Sequence, residues 1–294
     1  MKKIFMAVIV LMMTLSASAQ FYIYYSDGTV AKVDSISMVA PEETEDSAPS
    51  AGIGVFSVSD SKQVTFSKGN LQYHPLNDEW RFAENSTDYI GLDNTHISYY
   101  YDGWIDLFGW CGSRTTANFG VNSSSDVSDY TGAFVDWGAN KIGEYVPNTW
   151  HTLTSDEWHY LLNNRTNADM LVGVAQVSGV NGLVLLPDNW IRPKDVIFKC
   201  GFYNGLGSYP DFQIFTIDQW SKLEAAGAVF LPAAGLRDGT YVEAVQIHGY
   251  YWTSSAIWCG QESANSFDFS CEKAERVYST SRHYGRSVRL VKYL

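Results

Sequence analysis

Six histidines, four cysteines and 32 acidic residues are the groups with which this 294-residue chain could do chemistry. The histidines stand at 74, 96, 151, 159, 248 and 283, and no two are spaced H-x-x-x-H or H-x-H. Local sequence therefore builds no zinc site. A G-x-S-x-G elbow, a G-x-x-x-x-G-K-[ST] loop and a G-x-G-x-x-G turn after a strand are all missing, which removes three common catalytic and phosphate-binding signatures. Gly201, Gly205 and Gly207 only punctuate a loop. Asp126, Asp129 and Asp136 carry the hard oxygens that calcium takes, but that ion needs about six to eight of them and the spacing fits no EF-hand. They are expected to be solvated loop carboxylates. Carboxylate pairs for glycoside hydrolysis meet only in the fold, and nothing singles one out. No catalytic residue, metal or cofactor is expected.

The cysteines, Cys111, Cys200, Cys259 and Cys271, contain no C-x-x-C spacing. Four cysteines allow three pairings in an oxidising compartment, and a chain of this size folds without any of them.

The elements that must hold these residues begin with an expected export signal. Lys2 and Lys3 precede a twelve-residue apolar stretch, Ile4 to Leu15, and then Ser16-Ala17-Ser18-Ala19, the order of a signal peptide cleaved after residue 19. Twelve residues fall short of the ~20 that span a bilayer, and no later segment is long and apolar enough. The expected mature chain is exported (periplasmic, cell-surface or secreted) without a transmembrane segment. Loss of Lys2 and Lys3 takes the formal charge from -12 to -14; an acidic chain of this kind is repelled by phosphate backbones, so nucleic-acid binding is not expected.

Phe21 to Tyr25 and Thr29 to Val33 flank Ser26-Asp27-Gly28, which predicts an N-terminal β-hairpin over residues 20–38. An acidic, proline-bounded linker follows over 39–51. From residue 52 to 294 the composition is uniformly aromatic and glycine-punctuated, predicting one domain. Within it, Val64-Thr65-Phe66 and Trp80-Arg81-Phe82 are expected to form a hairpin, and the six aromatics from Tyr99 to Trp110 a buried loop and strand core. Thr154-Ser155-Asp156-Glu157 and Thr216-Ile217-Asp218-Gln219 read as capping boxes that start two short helices, with the second stopping at Gly227. His159, beside Trp158, is expected to be partly exposed. Strands are expected at 182–186, 228–231, 250–252, 266–269 and 287–291. Two helices with many short antiparallel strands make an α+β fold, without parallel βαβ winding.

The last quarter carries a usable resemblance. Leu231-Pro232-Ala233-Ala234-Gly235-Leu236-Arg237-Asp238-Gly239 leads through Gly249-Tyr250-Tyr251-Trp252-Thr253-Ser254-Ser255 to the series Arg282, Gly285, Arg286, Ser287, Val288, Arg289, Leu290, Val291. Upstream, Val64 to Tyr73, Trp104 to Trp110 and Asn181 to Trp190 extend the pattern. Together these motifs resemble a large group of exported Bacteroidetes proteins with a C-type-lectin-like domain, related in fold to the formylglycine-generating enzymes. Some of that family are variable proteins of diversity-generating retroelements, whose C-terminal segment is diversified to alter ligand binding.

The resemblance implies a C-type-lectin-like domain over 52–294 and an adhesin-like recognition role through residues 256–286, with a protein or a carbohydrate as ligand. Ala264, Phe267, Phe269 and Arg282 would form its frame. Trp258, Tyr278, Ser279, Ser281, His283, Tyr284 and Arg286 would contact the ligand, in keeping with the tyrosine-rich, serine-rich composition of paratopes. The alternatives are an oxidase related to the formylglycine generators and a structural subunit of a surface assembly. Cys259 and Cys271 cannot be placed on the generators' motif, so no catalytic role follows, and a disulfide between them is not favoured. Pro187-Asp188-Asn189-Trp190 is superficially like a lectin sugar motif but is expected to be a turn.

Overall fold

The computed structural model describes residues 21–24, 30–33, 54–112, 118–203, 208–211, 213–257 and 261–294, the first two segments and Asn118 by backbone alone. The expected signal peptide, the linker, Trp258 and Cys259 lie outside the described residues. The chain divides into two compact units, Met1–Ala48 and Pro49–Leu294. In the first, β1 (Phe21–Tyr24) and β2 (Val30–Val33) pair antiparallel with Phe21 opposite Val33 and Tyr24 opposite Val30, the expected hairpin.

The second unit opens with β3 (Phe56–Ser57), β4 (Gln63–Phe66), β5 (Leu71–His74) and β6 (Glu79–Phe82). Here the expected hairpin of Val64–Phe66 with Trp80–Phe82 is corrected. β6 pairs with β5, Tyr73 facing Trp80, whereas β4 pairs with β3. All four residues of β5 are buried, so it lacks the in-out alternation that marks a strand exposed on one face.

Next come β7 (His151–Thr152) and α1 (Ser155–His159). The Thr154 hydroxyl accepts from Glu157 N at 3.1 Å while the Glu157 carboxylate accepts from Thr154 N at 2.9 Å, so the capping box is formed in both directions. α1 runs on into a π-helical turn over Tyr160–Asn164, carrying Trp158, Leu161 and Leu162 into the interior; His159 is half-buried.

β8 (Val172–Val177), β9 (Val180–Leu185) and β10 (Ile214–Phe215) precede α2 (Ile217–Ala225). α2 carries its own Thr216–Gln219 capping box, and the chain turns at Gly227, whose φ of +93° is open to glycine without strain. A Cβ there would also meet Gly54.

The chain closes through β11 (Val229–Pro232), β12 (Leu236–Asp238), β13 (Tyr241–Glu243), β14 (Gly249–Ala256), β15 (Ser263–Phe269), β16 (Ala274–Ser281) and β17 (Leu290–Tyr293). The sheets of this unit are β10-β8-β9-β11, β14-β15-β16, β3-β4-β17-β7 and the pairs β5-β6 and β12-β13. Among the described strand pairings only the two-residue contact of β10 with β8 is parallel. The fold is thus built mainly of short antiparallel strands with two short α-helices.

Three apolar clusters hold these sheets. One joins Trp158, Tyr251, Phe267 and Phe269 between α1 and the β14-β15-β16 sheet. A second gathers Trp80, Phe108, Trp110, Trp137, Trp150 and Trp252, and a third lies under α2 around Trp220, Leu223 and Phe230. Each such side chain contributes roughly 1.5–3 kcal/mol by leaving water. The expected burial of the 99–110 aromatics holds for Phe108 and Trp110 but not for Tyr99 and Tyr100, which face solvent.

Candidate binding surface

Residues directly opposed across antiparallel strands share a face, so the register of β14-β15-β16 sorts its side chains. Tyr251, Phe267 and Arg276 form one row, facing α1. Trp158 of α1 stacks on Phe267 at 4.5 Å and 14°, and Arg276 pairs with Asp156. Trp252, Ser266 and Val277 form a row on the opposite face, next to the row of Tyr250, Asp268 and Glu275. The frame residues Ala264, Phe267, Phe269 and Arg282 are all buried.

The seven residues expected to touch ligand are not one cluster. Tyr278 and Ser279 are exposed on β16, Tyr278 to 60 %. The Arg276 guanidinium lies 4.3 Å from the centre of the Tyr278 ring and donates to its hydroxyl, which ties Tyr278 to Asp156. Ser281, His283 and Tyr284 are half-buried and form a second group. The Ser281 hydroxyl lies 2.8 Å from His283 Nδ1, His283 Nε2 is 3.4 Å from Asp238 Oδ1, and the His283 and Tyr284 rings are 4.4 Å apart. Burial lowers the His283 pKa and Arg237 adds to that, while Asp238 opposes it, so the net effect favours the neutral imidazole. Trp258 lies outside the described residues.

Arg286 is a correction. Its side chain is 5 % exposed, ion-paired to Asp268 and placed over the rings of Tyr250 and Trp252 at 4.9 and 5.2 Å. A guanidinium held between two aromatic faces and a buried carboxylate is a packing element, with no surface left for a ligand. Burial raises the Asp268 pKa against the opposing pull of Arg286, and lowers that of Arg286.

The other arginines of the closing motifs are also drawn inside. Arg282 donates to the carbonyls of Ser263, Tyr130 and Gly132 at 3.0–3.3 Å and covers the Trp110 ring at 4.2 Å. Arg289 bonds the carbonyls of Ser67 and Phe230, and complete burial takes its pKa down to about 10. Arg237 reaches the carbonyls of Gly239 and Leu107. Planar guanidinium forks suit such multiple acceptors.

One contributor was not anticipated: the β12-β13 hairpin. Asp238 is opposite Tyr241, and Tyr241 and Glu243 share its face, while Arg237 and Val242 face inward. The hairpin meets the second group through the Asp238–His283 contact. Gly239 was the available signal, because a glycine opening a two-residue loop, here Gly239-Thr240 between the paired Asp238 and Tyr241, marks a tight hairpin turn whose flanks include solvent-facing positions.

The remaining candidates have structural partners. Asp126 caps a 3-10 turn through Ser128 N at 2.9 Å; Asp136 caps another through Gly138 N and also accepts from Thr152 N and its hydroxyl. Among the described residues no three His, Cys, Asp or Glu side chains are grouped to hold a metal. Cys111, Cys200 and Cys271 are free thiols, and burial pushes that of Cys111 up to about 12. Pro187 to Trp190 is a turn closed by Trp190 N to Pro187 O at 3.1 Å, with Asp188 ion-paired to Arg165. Two cavities, of 410 and 440 Å³, open beside α2 and α1, and no residue from 278 to 286 lines either. No helix among the described residues is long and apolar enough to cross a membrane.

No protein-family model matches this chain, and no curated protein or solved structure does.

Proposed function

We propose that this chain is an exported recognition protein whose C-type-lectin-like domain binds a protein or carbohydrate through its C-terminal surface, without catalysing a reaction. The observation that carries the reading is the division of labour within residues 263–286. Ala264, Phe267, Phe269, Arg282 and Arg286 are buried and fix the backbone, while Tyr278, Ser279, Ser281, His283 and Tyr284 retain access to solvent. A rigid frame under adaptable tyrosine and serine side chains is how a binding surface changes specificity without losing its fold. The arrangement also supports diversification at those outward positions, with export resting on residues 1–19.

The test is binding of the full chain and of its Tyr278→Ala/Tyr284→Ala variant to an array of glycans and surface proteins. At least one probe should bind the parent and lose tenfold or more in the variant, with circular dichroism unchanged. A variant that binds every probe as the parent does would defeat the proposal. A reverse-transcriptase gene beside a near-copy of codons 256–286 differing only at adenines would establish diversification, and its absence would remove that part.

A further inference from the structure

We infer that the ligand is a protein with a basic surface patch, and that the β12-β13 hairpin is part of the contact; this rests on the binding surface proposed above. Three observations converge.

The first is shape. Small-molecule sites are concave, but both cavities open on other elements and no residue from 278–286 or from the hairpin lines them. Neither of those two cavities belongs to this surface, whose projecting side chains suit a second macromolecular surface, with about 800 Å² covered per partner in a typical complex.

The second is composition. Tyr241 is 65 % exposed opposite Asp238. Asp238 meets His283, and His283 meets the Tyr284 ring. Glu243, two residues along the same face, acts electrostatically on Tyr250, whose ring lies against the Arg286 guanidinium. Tyr241 thus stands across the hairpin from Asp238, and His283 links that carboxylate to the Tyr284 ring. Tyrosine gives wide contact area with few torsions to immobilise, the pattern of protein-binding surfaces.

The third is charge. Residues 231–294 contain seven Lys and Arg against six Asp and Glu, so the segment looks nearly neutral in sequence. Folding separates the signs. Arg237, Arg282, Arg286 and Arg289 are buried and spend their donors on internal carbonyls or Asp268. Asp238 stays 46 % exposed and Glu243 is exposed. The face is therefore anionic, and its complement is a cationic partner.

The experiment selects phage-displayed twelve-residue peptides on the full chain and measures the enriched peptides by calorimetry. They should carry at least two Lys or Arg with an aromatic residue. Asp238→Lys, Glu243→Lys and Tyr241→Ala should each weaken them tenfold or more, while Asp195→Lys, the same charge change at an exposed site beside α2, should change binding less than threefold. Equal losses in Asp195→Lys would reduce the effect to net charge and overturn the inference. Neutral or acidic enriched peptides, preferential glycan binding, or failure to enrich any peptide would each overturn it as well. If Tyr278→Ala/Tyr284→Ala weakens binding but the hairpin variants do not, the inference fails while the proposed function stands; if neither set has an effect, both fail. Circular dichroism of each variant separates lost contact from lost fold.

Discussion

Replacing Arg286 with methionine should destabilise the second unit, with little to do with ligand. The guanidinium and the Asp268 carboxylate are both sheltered, at 5 % and 17 % side-chain exposure, and Arg286 also fills the space between Tyr250 and Trp252. Methionine retains much of the packing volume but strands the carboxylate. Removing one partner of a buried pair costs about 3–5 kcal/mol, whereas replacing both with apolar groups of similar shape is close to neutral. For a unit of this size that loss lowers Tm by on the order of 10 °C. The Asp268 pKa is already raised by burial and would rise further without Arg286. A carboxyl with a raised folded pKa contributes stability that is fully present below its unfolded pKa and is lost as pH rises through the folded value. The penalty of Arg286→Met should therefore be largest at pH 7 and shrink as pH falls through the raised Asp268 pKa toward 4. Urea unfolding of the parent, Arg286→Met, Asp268→Leu and the double variant, at pH 7 and 4.5, closes the cycle. A single-variant cost under ~1 kcal/mol, or a double variant no more stable than Arg286→Met, would refute the assignment of Arg286 as a buried packing element.

Tyr278→Ala should change stability by less than about 0.5 kcal/mol, as an exposed substitution does, whereas Phe267→Ala beneath Trp158 should cost about 3–5 kcal/mol; chemical denaturation of the two reads the contrast. Thr154→Ala removes one arm of the α1 capping box and should cost about 1 kcal/mol by the same measurement, with Thr154→Ser retaining most of it. Asp106 is fully buried, its carboxylate accepting from Asn94 Nδ2 and Ile90 N, and burial pushes its pKa up to about 6. Its contribution is present below pH ~4 and is lost as pH rises through 6. Thermal unfolding between pH 4 and 7 should thus show a falling component that disappears in Asp106→Asn.

Features encoded by neighbouring residues were legible in the sequence. Both capping boxes, the stop at Gly227 and strands β9, β11, β14 and β15 follow from side chains that act within a few positions, or from simple alternation. Features set by distant partners were not. β5 is covered on both faces and shows no alternation, so its neighbour β4 was given the wrong partner. Arg286 looked like a ligand contact because nothing local announces Asp268 or Trp252 as its neighbours. Arg282 finds the carbonyls of Tyr130 and Gly132, some 150 residues away. The hairpin part of the surface was missed because its strands are three residues each and Arg237 alone reveals no side to them.

β17 is an interior strand of its sheet, seated between β4 and β7, with Val291 opposite both Phe66 and His151. Those partners lie 225 and 140 residues before Val291 (291 − 66 and 291 − 151), and bringing such distant segments together is slow, the gain coming only when β17 docks. The sheet cannot be completed while residues 290–293 are still being made. Folding of that sheet is therefore paced by contacts between residues far apart in the chain, and withdrawing β17 would part β4 from β7 in a single step.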